Sequence, residues 1–215
     1  MRPLATAALL LVATIPGVSR AQAPEVSRGA EPPPETLSAA VRSALAPERV
    51  TVRLGDTRLD FWWTAGIATP EGGAAGWDGV PAGALVGALR IEGEWTEIRG
   101  YTIRPGVYTL RFALQPQNGD HLGISPYREF LLLAPAADDR QTEPVGYEGA
   151  VDLSTHASRR SHPAAMSLDP PASEASPSSL ISNEFGHDVV VFALPAAGEA
   201  PPITFGLVVR GTIEH

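Results

Sequence analysis

The chain has 215 residues, a formal net charge of −8, no cysteine and, among its 16 basic residues, no lysine. Disulfides, thiolate nucleophiles, thiolate-held metals, Schiff-base chemistry and a phosphate-loop lysine are thereby excluded. The acidic balance argues against nucleic acid and anionic lipid surfaces as partners, and no motif requires a cofactor.

The first residues have three parts: the positive start Met1-Arg2, the apolar run Leu4 to Ile15, and small residues ending in Ala21 after the Pro16-Gly17 break. This layout predicts a signal peptide over residues 1–21, with an apolar core too short to anchor in a bilayer. Cleavage after Ala21 is favoured over Ala23, because Pro24 would follow the second cut. Losing Arg2 and Arg20 takes the net charge from −8 to −10. A bacterial protein of the periplasm or the medium is expected, with no membrane insertion once the signal is removed. Residues 22–35, with Pro32-Pro33-Pro34, read as a disordered leader. One domain is expected over 36–215.

A short N-terminal helix follows, capped by Thr36, with Leu37, Val41 and Leu45 on one face and Pro47 at its end. From Val50 the apolar period becomes two, and Gly55-Asp56 separates Val50–Leu54 from Leu59–Trp63 as a β-hairpin. Residues 64–83 read as a loop, and strands are predicted over Ala84–Ile91 and Trp95–Ile98. Gly106–Leu114 is the clearest strand, with Val107, Thr109, Arg111 and Ala113 on one face and Tyr108, Leu110, Phe112 and Leu114 on the other. The run Phe130 to Leu133 suits a strand buried on both faces. Residues 136–179 read as a long loop and helix excursion, with a short helix over 145–158, and strands over Asp188–Leu194 and Ile203–Thr212 close the chain. Many strands and few helices predict an all-β antiparallel β-sandwich.

Pro105 to Leu110 (a Pro-Gly-x-Tyr-Thr-Leu strand), Gln117 to His121 (Gln-Asn-Gly-Asp-His) and Ser125 to Arg128 (Ser-Pro-Tyr-Arg) form a distinctive middle. With the later His162-Pro163-Ala164, this stretch resembles an uncharacterised family of exported bacterial proteins, and more broadly small exported β-sandwich domains. The resemblance covers about half of the mature chain. It implies a fold and a compartment and brings no catalytic residues.

Asp120 and His121 lie in the loop after the Tyr108 strand, where a sheet would position them over a cleft, although Asn118-Gly119 is first of all a turn signal. Trp62 and Trp63 are adjacent on a strand, so one faces the core and the other faces out; an outward Trp62 is able to stack on a ligand, or to be covered by the N-terminal helix or by the 64–83 loop. Tyr127 and Arg128, an aromatic beside a potential anion clamp, complete the candidate binding set. His121, His156, His162 and His187 are the histidines that would hold a divalent metal, although none are spaced to chelate within one element. Ser125, in Gly123-Ile124-Ser125-Pro126-Tyr127, lacks the second glycine of a nucleophile elbow. The favoured function is an exported non-enzymatic binding or scaffold module for a protein, glycan or small ligand of the cell envelope. The alternative is a metal-dependent or carboxylate-based hydrolase centred on Asp120 and His121.

Overall fold

The computed structural model describes residues 23–68, 76–116, 127–170, 175–198 and 200–212. Ten strands join in one antiparallel sheet: β1 (Glu25–Ala30), β2 (Leu45–Leu54), β3 (Thr57–Thr64), β4 (Leu85–Glu92), β7 (Gly106–Leu114), β8 (Glu129–Pro135), β9 (Ala165–Asp169), β12 (Ile203–Arg210), β11 (Asp188–Leu194) and β10 (Leu180–Ser182), in that spatial order. The short strands β5 (Trp95–Thr96) and β6 (Thr102–Ile103) pair with each other as a separate hairpin. The protein is therefore mostly β, as its alternating pattern requires. Instead of two separate facing sheets, the strands roll into one large, nearly closed barrel-like sheet.

The reason lies in β9. Its first half, Ala165 to Ser167, pairs with β8, and its second half, Leu168 and Asp169, pairs with β12. One five-residue strand thus joins the meander β1–β8 to the block β10–β12. The 136–179 stretch expected as an excursion contains this interior strand. On the opposite side the barrel is held by sparser contacts: Ile67 bridges Ala196, and Arg28 of β1 donates to Ser178 just before β10.

The leader is also not free. Residues 25–30, expected to be disordered, form β1 and pair in full register with β2, Glu25 opposite Arg53 through Ala30 opposite Glu48. Backbone hydrogen bonding to an otherwise open strand edge orders a segment whose side chains are mostly polar.

Inward side chains fill the barrel. Phe61, Trp63, Phe192 and Phe205 meet across it with ring centroids 4.8–5.7 Å apart, and Trp77 stacks on Phe112 at 4.7 Å. The interior is a packed core of aromatic and branched residues. Two helices cover parts of the outer face. The six-residue α1 (Ala39–Ala44) begins at Ser38, whose hydroxyl accepts from the Val41 amide, so the capping residue is Ser38 and not Thr36. It lays Val41, flanked by Leu37 and Leu45, over Trp62, Leu85 and Ala88. The longer α2 (Gly146–Ser158) packs Ala150 against Ala113, Leu132 and Ala165. That explains why Leu131, Leu132 and Leu133 are all buried: the odd positions face the core and Leu132 faces α2.

Two charged clusters are buried in the outer face. Asp60, fully buried, accepts from Thr51 and from the guanidiniums of Arg58 and Arg90, which sit on β3 and β4 beside it. Burial opposes ionisation of Asp60, but these donors and charges outweigh it and hold its pKa below the ordinary carboxylate value. Arg111, on the outer face of β7, is fully buried with Asp139. Its Nε and one Nη bind the two carboxylate oxygens at 2.7 Å, and the remaining N–H groups donate to the carbonyls of Gly83, Gln141 and Glu143. All five donors of the guanidinium are used. A single side chain thus fastens the 139–143 turn, which leads into α2, to the sheet.

Candidate functional site

A cleft of about 280 Å³ lies beside α2. Its floor is the outer face of the sheet: Ala113 of β7, Phe130 and Leu132 of β8, and Ala165 of β9. One wall is α2, through Tyr147 and Val151, which lie four residues apart and so share a helix face. The other sides are the β5–β6 turn (Ile98, Arg99), the end of β7 (Leu114 to Pro116) and the Ser161-His162-Pro163 segment. Small residues at positions 113 and 165 leave this space, because two methyl groups lie where larger outward side chains would fill the gap under the helix.

The lining is mainly apolar with a few polar groups at the edge, the composition of small-molecule sites. The exposed large hydrophobics among the described residues are Leu114 (39 %), Tyr147 (37 %) and Phe185 (49 %), and the first two border this cleft. Arg99 is held rigidly at the rim. It donates through Nε and Nη to Glu97, donates through Nη to the Pro163 carbonyl, and lies 5.4 Å from the Tyr101 ring centroid. Glu97 is fully buried in the β5–β6 turn, and burial raises its pKa above the ordinary value despite the Arg99 charge. Burial likewise raises the phenol pKa of Tyr147, so Tyr147 is a neutral hydrogen-bonding group at neutral pH.

The residues expected from sequence to form a site are scattered. Asp120 and His121 lie outside the described residues, so the hydrolase alternative has no described side chain at its centre. Trp62 is a correction: it is fully buried under α1, and its indole N–H donates to the Glu31 carbonyl at 2.7 Å. Arg90 stands 5.2 Å from its ring, closing the other side. It has no surface left to offer a ligand. Tyr127 is half-buried, its pKa raised by burial and then by the negative charges of Asp169 and Glu184, which places it by β9 and the β10–β11 turn. Arg128 is exposed beside it. Its guanidinium donates to the Gln115 carbonyl at 2.9 and 3.2 Å, and the Gln115 amide donates back to its carbonyl, so it fastens the neck of the loop.

The described histidines do not converge. His156 pairs with Asp138 at 3.1 Å, while His187 is buried between Asn183 and the Thr212 carbonyl. His162 stands at the cleft rim, where it is exposed. Among the described residues no group of three or more histidines and carboxylates is arranged to hold a metal ion, and this corrects any ligand set drawn from His156, His162 and His187. Of the sequence candidates among the described residues only His162 lines the cleft, and Arg128 acts on it through Gln115. The pair Tyr147 and Val151 was missed, although its i, i+4 spacing within a predicted helix was readable. Arg99 gave no signal, because its role depends on a turn folding over the helix end.

Comparison of the chain with protein-family models, with curated proteins and with solved structures finds no match. Among the described residues no helix is long and apolar enough to cross a membrane.

Proposed function

We propose that this protein is an exported, non-enzymatic binding module that takes the apolar part of a small ligand into the cleft between α2 and β7–β9. The observation that carries the reading is the coincidence of an apolar cleft of about 280 Å³ with two of the exposed large hydrophobics, Leu114 and Tyr147. Its volume lies just below the range of roughly 300–1,000 Å³ common to ligand pockets, which suits a small occupant. The N-terminal residue pattern and the resemblance of the Tyr108 region to exported bacterial proteins support the compartment.

The test uses the mature chain and N-phenyl-1-naphthylamine, a neutral probe that fluoresces in apolar sites. Saturable binding with one site per chain is expected, and it should be lost in Val151→Phe, which fills the cleft from a half-buried helix position. Binding that does not saturate, or that survives Val151→Phe in a folded protein, would remove the reading. Export is tested by mass spectrometry of the protein made in a bacterial host. A mature chain starting at Gln22 supports it, and an uncleaved chain retained in the cytoplasm rejects it.

A further inference from the structure

At the edge of the cleft that Arg99, Ser161 and His162 line, further arginines stand close by. Tyr101 is flanked by two guanidiniums, Arg99 at 5.4 Å and Arg160 at 4.6 Å from its ring centroid. Arg159 and Arg160 follow directly on the C-terminal end of α2. Arg104 is drawn toward the same corner, because the Tyr108 hydroxyl donates to its carbonyl at 2.8 Å and both Arg104 and Arg159 act on that phenol. Glu97 is the acid of this corner, and it is buried and bound to Arg99. Among the described residues no carboxylate pairs with Arg104, Arg159 or Arg160, whereas the arginines on β3 and β4 each have at least one such partner. Beside these charges, Ser161 and His162 line the cleft and are exposed.

An apolar space with an unpaired cationic edge fits one kind of molecule. We propose that the ligand of the cleft is an anionic amphiphile. Its aromatic or short aliphatic body fills the space over Ala113 and Ala165, and its oxyanion head lies at the rim by Arg160, Ser161 and His162. Arg99 is tied by Glu97 and Pro163, so it supplies a fixed field, while Arg160 swings over Tyr101 to meet the head group. This inference rests on the cleft being a binding site, and it adds the charge of the occupant.

The experiment compares two probes with the same aromatic body: 1-anilinonaphthalene-8-sulfonate, which is anionic, and neutral N-phenyl-1-naphthylamine. The mature protein should bind the sulfonate at least about tenfold more tightly, the scale of one charge-assisted contact. Arg160→Gln combined with His162→Gln should bring the two affinities within about threefold by weakening the sulfonate alone. Both positions are exposed, so the fold is spared. Raising salt from about 0.05 to 0.5 M should likewise weaken the sulfonate and leave the neutral probe unchanged. Equal affinity for the two probes, a preference that survives the double substitution, or sulfonate binding that survives Val151→Phe would each overturn the anionic assignment while neutral binding left the cleft reading intact. If neither probe binds, the cleft reading falls and this inference falls with it.

Discussion

Replacing Arg111 by methionine tests whether the 139–143 turn hangs from one side chain. The substitution keeps most of the apolar stem and removes the guanidinium. It leaves the Asp139 carboxylate buried with the Thr109 hydroxyl as its remaining side-chain donor, and strips the carbonyls of Gly83, Gln141 and Glu143 of a partner. Breaking a buried ion pair by removing one partner costs about 3–5 kcal/mol. With a urea m-value of about 2 kcal/mol/M, that lowers the unfolding midpoint by about 1.5–2.5 M. The measurement is equilibrium urea unfolding followed by far-UV circular dichroism and by tryptophan fluorescence. Arg111→Met with Asp139→Leu should lose less than the sum of the two single substitutions, because the second change removes the stranded charge. Since the pair is fully buried, the loss should persist in 0.5 M salt. A loss below about 1 kcal/mol for Arg111→Met, or strict additivity in the cycle, would refute the reasoning.

Trp62→Ala should destabilise the protein by about 3–5 kcal/mol, measured by thermal and urea unfolding, because it empties the space under α1. It should leave probe binding by the folded fraction unchanged. Asp60→Asn should lower stability by roughly 1–3 kcal/mol at pH 7. Its folded pKa is depressed, so its contribution is present above the unfolded value and fades as pH falls through the folded one. The wild-type advantage measured in urea should therefore shrink toward pH 2–3, and a gap independent of pH would contradict it. Glu97 has the opposite sign, because its folded pKa is raised. Its contribution is full below the unfolded value and is lost as pH rises through the folded one, so the stability of wild type relative to Glu97→Gln should fall from pH 4 to pH 7. Gly206→Ala should cost about 1–3 kcal/mol by thermal unfolding, since a Cβ there would lie 2.6 Å from Val189 and 2.8 Å from the Asp169 carbonyl.

Much of the sheet was legible because its strands obey a period of two. The Gly106–Leu114 and Asp188–Leu194 boundaries coincide with β7 and β11, and Gly55-Asp56 is the turn between β2 and β3. Three things were not legible. The strand at 25–30 is polar and owes its order to backbone pairing with β2, which leaves no apolar signature. The five residues of β9 are buried, and the strand is paired along its edges with strands more than 30 residues away in the chain, a long-range effect absent from local pattern. Alternation also serves a sandwich and a barrel equally well, and the joining of the two strand blocks through the short β9 leaves no mark on it. In the site, alternation put Trp62 and Trp63 on opposite faces but carried no information about the α1 segment lying over Trp62. The cleft itself is assembled from a turn, a helix and three strands, so no contiguous motif could announce it.

The bridging role of β9 also bears on how the chain reaches this structure. From β2 to β8 nearly every strand of the sheet pairs with its predecessor in sequence, whereas β8 meets β12 only through a segment that must itself be held on both sides. Neighbour-to-neighbour pairing is fast and long-range closure is slow. Folding should therefore proceed in two stages, with the N-terminal meander formed first and the β10–β12 block docking afterwards. Pulse-labelled amide exchange would then show Leu59 and Leu110 protected before Leu168 and Leu207, with the ligand cleft, whose floor includes Ala165, completed only in the second stage.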